Sequence, residues 1–250
     1  MGNAFLADPN QGRTRLAAAL TGGVLVLGMG IALGASLGAG HGSHPAVSAR
    51  SAPSSTAPGV VTTSSPTATS AAPLRLVRGT RLVNGVSVGY PHTRLGAVSA
   101  AVEYTTQVGS SLDLDRVSQV ADAIAYPPSY GGDPVTAFVQ GAADIRRYLG
   151  LPTSGPVPRG ASSTFGPMAY QVRDERADEV TVLLMSYLTM VSTERGMEQR
   201  LILVPTRMVW DGADWKTAKR PEGASEYLEL RHKPGTPEAA AVGWLDFITP

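Results

Sequence analysis

The longest apolar run in the chain, Leu16 to Gly40, carries no charge. Its roughly 25 residues exceed the ~20 that a helix needs to cross a bilayer core. Arg13 and Arg15 stand just before it, and no further Lys or Arg follows until Arg50. That asymmetry predicts a transmembrane helix over 16–40 with residues 1–15 as a cytoplasmic tail and everything after it outside. A cleaved signal peptide ending near Val47-Ser48-Ala49 is the alternative, although its apolar core runs only about 7–15 residues. Gly30, Gly34 and Gly38 recur every four residues within the run. Such small-xxx-small spacing lets two membrane helices approach closely, and Gly is also simply common in membrane spans.

The pattern then changes. Residues 41–73 are mostly Ser, Thr, Ala, Pro and Gly, with Arg50 as their one formal charge. Nothing periodic is present to bury, which predicts a disordered tether with a reach of about 30 Å.

Periodicity returns at Leu74 and continues to Pro250, a length suited to one domain. Asn84-Gly85 between Leu82-Val83 and Val86-Ser87-Val88 predicts a two-residue hairpin. Three helices follow. The first has Thr93 as N-cap and Ala97, Ala101, Tyr104 and Val108 on one face. The second starts near Asp113, gathers Val117, Val120, Ala121 and Ile124, and ends at Pro127-Pro128. The third has Asp133 as N-cap and Pro134 in its first turn, buries Phe138, Ile145 and Leu149, and closes at Gly150 and Pro152. After a Pro/Gly/Ser loop over 150–163, Met168, Tyr170 and Val172 alternate with Ala169, Gln171 and Arg173. Val180–Val191 is apolar on both faces, and Leu201–Trp210 returns through Pro205, which marks an edge, a bulge or a bend. A further turn runs from Trp210 to Lys216, and Thr236-Pro237 predicts a last helix with Ala241, Trp244, Leu245 and Ile248 on one side. Helices first and an antiparallel meander second predict an α+β domain. A long bent sheet wrapped around the helices would make a cone.

This order resembles the nuclear transport factor 2-like fold. The whole layout resembles the membrane-anchored scaffold proteins of conjugative type IV secretion, including the TcpC-like proteins. The segments GVSVGYPHTRLGAVSAAVEY, Gly85 to Tyr104, and WDGADWK, Trp210 to Lys216, resemble segments of actinobacterial membrane proteins of mobile elements. The resemblance implies a non-enzymatic adaptor that joins other membrane subunits of a transfer complex, with a homo-oligomer as one possible form. One departure stands out: the chain has room for a single domain where TcpC-like proteins carry two.

Charge and chemistry refine this picture. The chain has no Cys, so disulfides, thiolate metal sites and cysteine nucleophiles are excluded. From Leu74 to Pro250 there are 18 Lys and Arg against 19 Asp and Glu. That balance gives no overall basic footprint for nucleic acid. No HExxH or Walker loop occurs, and no cofactor is expected. His41 and His44 lie in the tether and make a poor metal site without a third ligand. His92 reads as a turn residue bonding the start of the first helix, and His232 as solvated beside Arg231 and Lys233. Asp122 and Asp144 fall outside the apolar stripes of their helices and read as solvated. Asp174, Glu175, Asp178, Glu179, Glu194, Glu198, Asp211 and Asp214 all fall at or near turns. Asp211-Gly212 with Asp214 resembles a fragment of a calcium loop but lacks the run of oxygen ligands. Arg207, deep in a strand, should be paired with an acid or stand at an edge, with an anion-binding role as the lesser alternative. Trp210 and Trp215 read as a cross-strand aromatic pair, or with Arg207 as an exposed patch that docks a partner. The expected class is a non-enzymatic adaptor; an apolar-ligand or cell-wall-fragment sensor is the alternative, and an enzyme on the same fold ranks behind both.

Overall fold

The computed structural model describes residues 72–220 and 222–250. The expected membrane helix at 16–40, Gly30, Gly34, Gly38, His41, His44 and most of the tether lie outside the described residues. Among the described residues no helix is long and apolar enough to cross a membrane.

The domain is α+β. Strand β1, Leu74–Arg75, is followed by a hairpin of β2, Arg81–Val83, and β3, Val86–Val88. Asn84 at φ 50° and Gly85 at φ 71° make the left-handed two-residue turn that matches strand twist. Next come three helices: α1, Arg94–Gly109; α2, Leu114–Ile124; and α3, Pro134–Tyr148. Each begins on the expected cap. Thr93 accepts from Gly96 N, Asp113 from Asp115 N and Arg116 N, and Asp133 from Val135 N and Thr136 N. These side chains satisfy first-turn N–H groups that have no partner inside the helix.

Three long strands form the body of the sheet: β4, Ser162–Arg176; β5, Glu179–Ser192; and β6, Gly196–Trp210. Strand β7, Trp215–Ala218, pairs with Arg207–Trp210 of β6 and bridges Ala125 through Thr217. Pro205 therefore sits where that side of β6 has no strand partner, which is the edge position a proline tolerates. Helix α4, Pro237–Ala241, precedes strand β8, Leu245–Ile248. The sheet order is β1-β8-β4-β5-β6-β7.

Three expectations are corrected here. The C-terminal helix stops at Ala241; Gly243 at φ 90° breaks it, and Leu245 and Ile248 belong to a strand inserted between β1 and β4. Because β1 runs parallel to β8, the curled sheet is mixed and not purely antiparallel. Met168 points outward at 48 % exposure, because a register shift between Pro167 and Ala169 inserts an extra residue and flips the alternation.

Strand β5 is apolar on both faces because both are covered. Val180, Val182, Leu184, Leu188 and Met190 pack toward the helices with Tyr104, Val120, Ile124 and Phe138. Leu183 and Met185 face the other way and pack with Leu203, Ala239 and Trp244. The chain from Tyr227 to Trp244 forms this outer cover, pinned by Trp244 Nε1 donating to Leu230 O at 2.7 Å and Gln171 Nε2 donating to Val242 O at 2.9 Å.

Candidate functional site

Two regions gather polar chemistry. The first is the turn end of the sheet, where β4 meets β5 and β6 meets β7. Trp210 and Trp215 are register partners across the hairpin, with ring centroids 5.6 Å apart and nearly perpendicular. Trp215 is 1 % exposed, so it cannot belong to an exposed docking patch. Its Nε1 donates to Pro91 O at 2.9 Å, and its carbonyl accepts from Tyr104 Oη at 3.1 Å. Trp210 is half-buried, with the His92 ring stacked on it at 4.3 Å. His92 does not bond the helix start: its Nε2 reaches across to Ala177 O at 2.9 Å and Asp178 Oδ1 at 3.0 Å.

Asp214 organises this end. It is 2 % exposed and accepts from Gly89 N at 2.6 Å, Tyr90 N at 3.0 Å and Trp215 N at 2.8 Å. Asp211 accepts from Ala213 N and Asp214 N and so closes the turn. The acid pair that resembled a calcium-loop fragment is the scaffolding of a hairpin. Burial pushes the neighbouring Tyr90 hydroxyl up to about 12, and the same cause raises Tyr104 further. Both stay neutral across the physiological range.

Arg207 is paired, as expected. Its Nε and Nη2 each donate to Glu179 at 2.8 Å, a bidentate arrangement. Those bonds hold the Glu179 carboxyl below its ordinary value and the Arg207 guanidinium above its own. The anion-binding alternative for Arg207 is not favoured, because its donors already face a carboxylate. Asp122 is exposed, whereas Asp144 is half-buried and engaged by Arg147 and Gln140.

The second region surrounds β1 and the residues just after it, where Val77 N donates to Ser99 Oγ of α1 at 3.1 Å. A groove lies on each side of it. One, of about 510 Å³, is lined by Leu74, Arg94, Val98, Tyr170, Arg173 and Leu245 among others. The other, of about 340 Å³, includes Arg78, Leu82, Tyr90, Val102, Glu103 and Pro250. In the larger groove Arg94 pairs with Glu175 at 3.0 Å, and Arg173 donates to Gln171 Oε1 at 2.7 Å. Its wall is otherwise mostly apolar, so it suits an apolar body carrying an anionic end.

Reading the sequence alone missed two features. Arg146 is fully buried on α3, with Nη2 donating to Gly155 O at 2.9 Å and no partner for Nε or Nη1 among the described residues. Tyr148 lies beneath the guanidinium groups of both Arg195 and Arg200, and its hydroxyl donates to Glu198 at 2.6 Å. The arginines and the acid of the second come from the β5–β6 turn and the start of β6, about 50 residues after Tyr148, and nothing local to Tyr148 signals them. Among the described residues no group of three or more His, Asp or Glu has the arrangement of a metal site.

No curated protein matches this chain, and neither does any solved structure. A family model does match, over residues 34–233, which takes in the latter part of the apolar run, the tether and the domain as far as the outer cover. Helix α4 and strand β8 lie beyond it. The chain belongs to the family described as a domain of unknown function, DUF8175.

Proposed function

We propose that this protein is a single-pass membrane protein whose domain from Leu74 onward stands outside the membrane as a non-enzymatic adaptor. The observation that carries this reading is the filled helix-facing side of the sheet. Tyr104, Phe138, Leu184, Leu188 and Met190 occupy it at 0–1 % exposure. Asp214, the buried carboxylate among the described residues, is saturated by three main-chain N–H groups. A catalytic carboxyl needs a free face toward a substrate, and Asp214 offers none. What the domain presents to other molecules is its outside. Three helices ahead of a curled sheet support the nuclear transport factor 2-like reading, and with it a subunit of a conjugative transfer or type IV secretion-like complex. The uncharged run at 16–40 supports the anchor.

A photo-cross-linking amino acid at Leu82, Trp210 or Met197, in cells carrying the intact transfer element, tests the adaptor reading. A discrete adduct with another membrane subunit, or with a second copy, is the expected result. If all three positions yield only uncross-linked chain, the adaptor reading is wrong.

A second reading, an apolar-ligand sensor, is favoured by the groove between α1 and β4. It predicts that a long-chain fatty acid raises the melting temperature of the full chain and that Arg94→Gln abolishes the rise. No shift at saturating lipid would remove this reading.

A further inference from the structure

From Leu74 to Val102 the chain has four arginines, Arg75, Arg78, Arg81 and Arg94, and no Asp or Glu. All four are exposed. Arg94 has a carboxylate partner in Glu175. Arg75, Arg78 and Arg81 have none among the described residues, and Arg78 donates only to the main-chain oxygen of Pro250 at 3.2 Å. Between these charges stand apolar side chains that water reaches freely. Leu82 is 76 % exposed and Val83 36 % exposed at the hairpin tip, and Ile248, the register partner of Arg75, is 42 % exposed. The hairpin is braced: Asn84 Nδ2 donates to Gln119 O at 2.9 Å, and Arg116 donates to Asn84 O. Glu103, the carboxylate in the adjoining groove, already accepts from Gln107 Nε2 at 3.1 Å and Ser87 N at 3.4 Å.

We propose that this face, made of β1 and the β2–β3 hairpin, docks on anionic headgroups of the bilayer in which the chain is anchored, with Leu82 and Val83 entering the interface between them. The proposal rests on reading residues 16–40 as the anchor. Geometry favours it over other partners. The tether joins the domain at β1, inside this face. If residues 41–73 behave as the random coil their composition leads one to expect, their root-mean-square reach of about 30 Å is less than the roughly 40 Å breadth of a domain this size. The arginine face is therefore the part of the domain held nearest the membrane. Arginines around exposed apolar side chains match an anionic interface, where charge draws the surface in and the apolar tip enters it. Nucleic acid would leave Leu82 and Val83 without a partner.

The absence of Cys allows a unique label. Full-length chain carrying Val83→Cys, or Met197→Cys as a distant control, is labelled with an environment-sensitive nitrobenzoxadiazole dye. Each is reconstituted into nanodiscs of phosphatidylcholine alone or of phosphatidylcholine with one quarter phosphatidylglycerol. The Val83 reporter should brighten and shift to the blue only in the anionic discs, and the change should fade with added salt. Replacing Arg75, Arg78 and Arg81 by Gln should lower the docked-to-undocked ratio on the order of 100-fold, while the Met197 reporter stays unchanged throughout. A Val83 signal identical in both lipids, from chain that co-purifies with both discs, overturns the docking and leaves the anchor standing. Chain recovered only with anionic discs, with the Val83 shift present, overturns the anchor and supports the docking. Recovery with neither overturns both.

Discussion

The turn end of the sheet and the face around β1 handle charge in opposite ways. At the turn end six acids cluster, and each has a partner inside the molecule. Asp214 takes three main-chain N–H groups and Asp211 takes two. Glu179 holds Arg207, Glu175 holds Arg94, Asp178 meets His92, and Asp174 accepts from Tyr227. Around β1, three arginines stand exposed with no carboxylate partner among the described residues. Charges satisfied within the fold serve the fold. Charges left over, grouped on one face beside exposed Leu82 and Val83, are available to something outside it. The contrast separates an end whose acids are partnered within the fold from a face whose arginines lack carboxylate partners among the described residues, in a domain whose overall charge is nearly balanced.

The contrast can be broken most sharply at Asp214. Asp214→Ala removes a buried acceptor and strands three N–H groups, and it should cost about 3–5 kcal/mol in urea unfolding. A loss below 1 kcal/mol would mean that the turn end is not held together by this carboxylate. Glu179 gives a smaller effect with a defined pH signature. Its pKa is held below the ordinary 4.5 by Arg207, so the stability from the pair is fully present above pH 4.5. It is lost as pH falls through the lowered folded value. Glu179→Gln should therefore cost about 1 kcal/mol at neutral pH and converge with the parent in acid. A parallel offset at all pH values would contradict the pairing. The smallest effect on folding belongs to the β1 face. Gln at Arg75, Arg78 and Arg81 together should change stability by less than about 0.5 kcal/mol, because no carboxylate partner is lost and the one bond given up, from Arg78 to Pro250 O, is exposed. A large destabilisation would place these arginines with the partnered charges and remove the distinction.

Local chemistry was legible in the sequence. Thr93, Asp113 and Asp133 cap helices because their short oxygen-bearing side chains suit that geometry and little else nearby competes. The Asn84-Gly85 turn follows from equally short-range physics, and the cost of an unpaired buried charge pointed to an acid partner for Arg207, although only the fold shows that it is Glu179. What escaped notice depends on distant partners. Leu245–Ile248 fits a helical stripe on paper, yet it becomes a strand because Leu74 and Arg75, far back in sequence, offer it a parallel edge. His92 leaves its own helix for a turn 85 residues away. Asp214 looks like an ordinary turn acid until Gly89 and Tyr90 arrive to bond it. Arg146 is hidden by a loop with no periodicity to announce that it covers α3. The arginine face was readable, because the stretch from Leu74 to Val102 has no acid; a count over the whole domain averages that asymmetry away.

The proposed adaptor role rests on residues 16–40 being a membrane anchor with the domain outside. Single cysteines placed by Asn3→Cys and Met197→Cys in the otherwise cysteine-free chain answer this directly with a membrane-impermeant maleimide. The account predicts that the Met197 position is labelled in intact cells and the Asn3 position only after lysis. Labelling of Asn3 in intact cells with Met197 protected, or protection of both until lysis, would contradict it.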